Sequence, residues 1–132
     1  MRKQIISDEI KDQIEARVDR FNRNIIKDPQ HYYNVHFSGM HLYLDRIYFG
    51  APSPICRLKY TGHIDDWGFA IYKFSKDKYD PDEWMFPGSG HVDGTVEGAM
   101  KAGLEAYPTS DKDGISLLKS VIQMFFGKDA PE

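Results

Sequence analysis

Cysteine is nearly absent from this chain, and so are long apolar runs and any large excess of charge. The single thiol, Cys56, excludes an internal disulfide and every multi-cysteine zinc site. It sits between Ile55 and Arg57 in a strand-like run, where a buried, unreactive thiol is expected. No apolar window reaches the roughly 20 residues of a membrane-spanning helix. The N-terminus MRKQIISDEIKD turns polar after two isoleucines, too soon for the apolar region of a signal peptide. A cytoplasmic protein with no membrane partner is therefore expected. With 17 Lys and Arg against 20 Asp and Glu, the formal net charge is -3. The molecule as a whole offers phosphate backbones no attraction, which disfavours nucleic acid as a partner.

The recognised nucleotide motifs are missing as well. A P-loop needs a lysine after its last glycine, yet Gly94 is followed by Thr95. A dinucleotide fingerprint starting at Gly88 needs a third glycine where Asp93 stands, and a βαβ unit around it. No H-E-x-x-H, C-x-x-C or calcium-loop pattern occurs. Nothing in the sequence asks for a cofactor.

What the chain has is aromatic surface and clear periodicity. Eight Tyr, eight Phe and two Trp among 132 residues supply the bulk for one core, and the length fits a single domain, 1–132. In SDEIKDQIEARVDRFNRNIIK, residues Ile10, Ile14, Val18, Phe21 and Ile25 form one helical stripe. Ser7 is its expected N-cap, and Asp28-Pro29 its stop. From Gln30 to Ser75 the period becomes that of strands. Tyr33, Val35 and Phe37 alternate with Asn34 and His36. Leu42 and Leu44 share a face, and a slip at Asp45-Arg46 suggests a bulge. Cys56, Leu58 and Tyr60 alternate with Arg57 and Lys59, and WGFAIYKFS follows. Short connections favour an antiparallel meander. Lys76 to Asp93 reads as a long irregular loop that Trp84, Met85 and Phe86 pin down and in which they could form a short strand, and then TVEGAMKAGLEAYP reads as a helix. Gly98 and Gly103 in that helix suggest close approach to another backbone. Ile115, Leu118, Val121, Ile122 and Phe125 predict a last helix. The expected fold is α+β, order α-β-β-β-β-α-α, with a four-stranded antiparallel sheet, an N-terminal helix and two C-terminal helices.

Three constellations carry candidate chemistry. The first is WMFPGSGHVDGT, where Ser89, His91, Asp93 and Thr95 precede a helix and could bind a small ligand or anion. Ser89, His91 and Asp93 are the residue types of a hydrolase triad, although catalytic triads draw on separate elements. The plain alternative is an entry loop in which Asp93 or Thr95 caps the helix. The second is metal binding by His36, His41, His63 and His91, should these loops and strands converge. The third is a face with Arg46, Arg57, Lys59 and Lys73 interleaved with Tyr32, Tyr43, Tyr60 and Tyr72. Basic and aromatic residues mixed on a sheet suit single-stranded nucleic acid. Equally, an uncovered sheet face suits a protein partner.

FPGSGHVDGTVEGAMKAGLEAY resembles the strand-to-helix passage of HicB-type antitoxins, through Pro87-Gly88, Gly94-Thr95, Glu97, Ala99, Ala102, Glu105-Ala106 and Tyr107. The resemblance implies a module that binds a small toxin ribonuclease, in a family whose members often append a DNA-binding segment. The first fifty residues and the insert from Lys76 to Trp84 depart from the family pattern. The function expected from the whole is a non-catalytic binding or regulatory module, acting through protein contacts and forming a homodimer. A ligand- or metal-binding pocket under the 80–95 loop is the alternative from another class.

Overall fold

Ser7 caps helix α1 (Asp8–Phe21), its hydroxyl accepting from the Ile10 amide at 3.2 Å, with Asp8 and Glu9 in the first turn. The computed structural model describes residues 6–108. Of the expected stripe, Ile14, Val18 and Phe21 are buried, while Ile25 is 55% exposed. A change of pitch explains the difference. Residues Asn22–Ile26 wind as a π-helical turn, which rotates Ile25 outward and seats Ile26 against the core. Lys27 then ends the helical run in left-handed backbone at φ 60°.

Five antiparallel strands follow in consecutive order: β1 (His31–Ser38), β2 (His41–Tyr48), β3 (Ala51–Tyr60), β4 (Trp67–Lys73) and β5 (Lys78–Asp80). The sheet thus has five strands, where the pattern predicts four. β5 pairs Tyr79 with Tyr72 and Asp80 with Ile71. One tyrosine between Lys78 and Asp80 is too short a pattern to read as a strand. Trp84, Met85 and Phe86 lie in the irregular stretch after it. The expected meander is present. Helix α2 (Val96–Ala106) closes the described chain, and the helix predicted around Ile115–Phe125 lies outside the described residues. Both helices pack on the same side of the sheet, burying Tyr33, Leu42, Leu44, Ile55, Cys56, Leu58, Phe69 and Ile71.

The bulge falls on β3 instead of β2. Leu44 pairs with Cys56 and Asp45 with Pro54, so Ile55 is the extra residue. β2 therefore stays in phase, and Leu42, Leu44 and Arg46 all turn toward the helices. This places Arg46 in the core, 5% exposed, and removes it from the face expected to carry Arg57, Lys59 and Lys73. A guanidinium is hydrophilic by any scale, so hydropathy alone forces the slip that the structure avoids. Its long stem is apolar, and its head meets the carbonyl end of α2. Arg46 Nη2 donates to the Gly103 carbonyl at 3.1 Å and to that of Tyr107, where the helix dipole is negative. Burial pulls its pKa below the usual arginine value, yet a guanidinium stays charged at neutral pH. Beside it, the Tyr33 ring lies 5.2 Å from Arg46 Cζ, and its hydroxyl donates to the Met100 carbonyl at 2.7 Å.

α2 approaches this closely because of Gly103. A Cβ there would lie against Tyr33 Oη and 2.5 Å from Ile55 Cγ2. At the sheet edge, the Asn22 side chain accepts from the Tyr33 amide at 2.8 Å and donates to its carbonyl at 2.9 Å. An amide side chain thus stands in for a further strand and shields part of β1. The Cys56 thiol is fully buried, and burial raises its pKa.

Gly103→Ala is expected to destabilise the fold by about 1–3 kcal/mol through overpacking against Tyr33 and Ile55. In a Tyr33→Phe background the penalty is expected to shrink, because one of the two obstructing atoms is gone. Urea unfolding of the four proteins checks both; a Gly103→Ala variant as stable as wild type would refute the packing.

Candidate functional site

The 80–95 loop resolves into supports for α2. Gly88 and Gly94 hold left-handed backbone at φ 96° and 92°, and both pass close to other chain segments. A Cβ on Gly88 would lie 2.6 Å from the Ala102 carbonyl oxygen, and one on Gly94 2.9 Å from that of Asp65. Between them Ser89–His91 forms a single 3-10 turn. Thr95 is the N-cap, its hydroxyl accepting from the Gly98 amide at 2.9 Å. Asp93 in turn accepts from the Thr95 hydroxyl at 2.7 Å and from its amide at 3.0 Å. These bonds hold the Asp93 carboxyl below the usual carboxylate range. His91 reaches away from both, with Nε2 2.9 Å from Glu105 Oε2. Of the four residues expected to bind a ligand here, Asp93 and Thr95 meet each other, His91 meets α2, and the Ser89 hydroxyl has no hydrogen bond among the described residues.

A second tie holds the other side of α2. Arg17 of α1 grips Glu97 with Nε at 2.7 Å and Nη2 at 2.5 Å, and Nη2 also reaches Asp65 at 2.8 Å. This paired contact lowers the pKa of Glu97, whose carboxylate Arg17 stabilises.

The four histidines expected as metal ligands are distributed over three places. His36 and His41 lie on the outer side of the sheet, flanking Tyr43 at ring distances of 5.0 and 6.2 Å. His63 Nδ1 accepts from the Asp65 amide at 3.1 Å in the β3–β4 loop, and His91 is bound to Glu105. Among the described residues no three His, Cys, Asp or Glu side chains converge as metal ligands do.

Aromatic, acidic and basic side chains gather instead on the sheet face opposite the two described helices. Strand alternation sends Tyr32, Asn34 and His36 of β1, His41, Tyr43 and Asp45 of β2, Arg57 and Lys59 of β3, and Tyr72 and Tyr79 to that side. Their rings form a continuous ladder. His36 stacks on Tyr43, Tyr43 meets Tyr79 edge-on at 5.5 Å, and Tyr79 meets Tyr72 at 5.1 Å. Arg57 Cζ lies 5.5 Å from the Tyr79 ring centre. Opposite β3, Gly68 and Ala70 keep the floor low. Asp45, its side chain 19% exposed, is 3.3 Å from His36 Nε2. Burial raises its pKa against the opposing pull of His36. The His41 pKa is lowered by burial and by the neighbouring Arg57 and Lys59 charges. Burial likewise pushes the Tyr79 phenol up to about 12.

Of the four cations expected to share this face, Arg57 and Lys59 do. Arg46 is buried on the opposite side, and Lys73 also points to the helix side, 2.9 Å from Glu83. Tyr60 is buried there too, packed on Trp67 at 5.1 Å. Tyr79 and Asp45 belong to the face but escape sequence reasoning. Alternation in β2 carries a signal for Asp45, whereas Tyr79 depends on a strand of three residues. No described helix is long and apolar enough to cross a membrane. No family model, curated protein or solved structure matches the chain.

Because Glu97 and Asp93 are ionised more readily in the folded chain, their contribution to stability is full above the unfolded carboxylate values of about 4. It is lost as pH falls through the lower folded values. Glu97→Gln is therefore expected to be less stable than wild type near neutrality and to lose less on acidification. Urea midpoints measured on both sides of that range check this, and parallel pH curves would contradict it.

Proposed function

We propose that this chain is a non-catalytic binding module that acts through protein contacts, with the open face of the sheet as its contact surface, and that it forms a homodimer there. The observation that carries this reading is the ring ladder from His36 through Tyr43 and Tyr79 to Tyr72 on the face that neither described helix covers. Tyrosine and histidine give large contact area with little side-chain entropy to lose, and their polar tips keep the unbound face soluble. The scale of the surface also suits such a contact. Five strands about 4.8 Å apart, most of them about 25 Å long, give a projected area of roughly 500 Å². Side-chain relief raises that toward the roughly 800 Å² per partner of a standard interface.

A single-strand nucleic-acid reading finds less support. With Arg46 in the core and Lys73 bound to Glu83, the face offers Arg57 and Lys59 against Asp45, a small charge for a ligand held by its phosphates. The alternative pocket under the 80–95 loop has Asp93, Thr95 and His91 already committed to holding α2.

Sedimentation equilibrium over two decades of concentration is the test. Wild type is expected at twice the chain mass, and a Tyr43→Ser, Tyr79→Ser double variant with an unchanged circular dichroism spectrum at the chain mass. A wild type that is monomeric throughout, or a double variant that stays dimeric, would overturn the reading. Salt-sensitive binding of a single-stranded oligonucleotide by a monomeric wild type would favour the nucleic-acid reading.

A further inference from the structure

The open face is unusual in carrying its opposite charges apart. Arg57 lies over the Tyr79 ring, and neither Arg57 nor Lys59 forms an ion pair with a carboxylate among the described residues. Asp45 has for its partner only the half-exposed His36, and it sits in surroundings that disfavour its charge. Among the described residues such groups are underused: cations without an anion, and an anion without a permanent cation.

Their spacing follows from the register. Tyr43 pairs across the strands with Arg57, and Asp45 is the next outward-facing residue along β2. Asp45 and Arg57 therefore lie on a diagonal of the face, with Tyr43 beside its midpoint. A second sheet packed face to face is related by a two-fold axis lying between the sheets. An axis perpendicular to that diagonal exchanges its ends, so that it sets Asp45 of each copy opposite Arg57 of the other and brings the two Tyr43 rings together near the axis. The same patch is then complementary to itself, as an isologous contact requires.

Resting on the homodimer reading above, we infer that the occupant of the open face is a second copy of this chain, held in register by two symmetry-related Asp45–Arg57 pairs around a central Tyr43 contact. Lys59 lies beyond Arg57 at the rim, and it adds positive charge near the incoming Asp45. The pairs select the partner and its orientation, while the rings supply most of the contact area.

Charge exchange tests this in full-length protein. Asp45→Arg alone places two like-charged pairs across the contact, and so does Arg57→Asp alone. Each variant is expected to dimerise at least about tenfold more weakly than wild type. An equimolar mixture of the two restores opposite charges at both positions and is expected to form a heterodimer of near wild-type affinity. Circular dichroism checks that each variant is folded. Should either single variant fail to fold, Asp45→Asn and Arg57→Gln serve in its place, each expected to weaken the dimer by the loss of both pairs and their mixture to recover in part, because one Asp45–Arg57 pair re-forms in the heterodimer. If wild type dimerises and Tyr43→Ser, Tyr79→Ser splits it, but the charge variants dimerise as wild type does or their mixture fails to recover, the inference is wrong and the homodimer reading stands. If wild type is monomeric throughout, the homodimer reading fails and the inference with it.

Discussion

The structure turns on a buried cation. Arg46 comes from the middle strands, passes beneath α2 and delivers its guanidinium to the carbonyls of Gly103 and Tyr107. Burying an unpartnered charge is costly, so the residue is tolerated only where acceptors and negative potential are fixed in place. The carbonyl end of a helix supplies both. Tyr33 adds a bond to the Met100 carbonyl, so two adjacent strands hold the last turns of α2. Gly103 permits the approach, and a larger residue there would push the helix away from both donors. At the other end of α2, Thr95 accepts from the Gly98 amide, Asp93 holds Thr95, and Arg17 of α1 holds Glu97. The helix is thus fastened at both termini by side chains from distant parts of the chain.

This fastening decides which sheet face is covered. With α1 and α2 both on the Arg46 side, Tyr43, Tyr72 and Tyr79 face outward. Among the described residues ring contacts line that side, and the small Gly68 and Ala70 keep its floor low. A broad, shallow and aromatic face of this kind suits a macromolecular contact better than a small substrate, which needs a concave site that excludes water. The 80–95 loop, which carries the residue types of catalysis, is occupied by the mechanical work of setting the angle of α2.

Much of the architecture is legible in the sequence because it rests on local rules. The stripe of α1, its Ser7 cap, the alternation in β1 and β3 and the order of the meander all follow from periodicity and capping. Two of the departures share one cause, which is contact between residues far apart in sequence. Arg46 looks like a break in the β2 pattern because hydropathy cannot register the α2 carbonyls that receive it. Ile25 looks buried because nothing local announces the π-helical turn. β5 is held by the Tyr79 contacts with Tyr72 and Tyr43, so three residues pair without an apolar pattern of their own. At the candidate site, alternation in β3 sorts Tyr60 from Arg57 and Lys59 in the sequence, but the placing of Arg46 on the side opposite Tyr43 depends on the bulge falling on β3 and not on β2.

The central claim is that association is confined to the open face. Amide chemical shifts recorded during dilution of isotope-labelled protein test it residue by residue. The account predicts concentration-dependent shifts at Tyr43, Asp45, Arg57 and Tyr79, with Ile14, Val18 and the other inward residues of α1 unchanged. Shifts that concentrate on α1 and α2, or a spectrum that does not change with concentration, would contradict it.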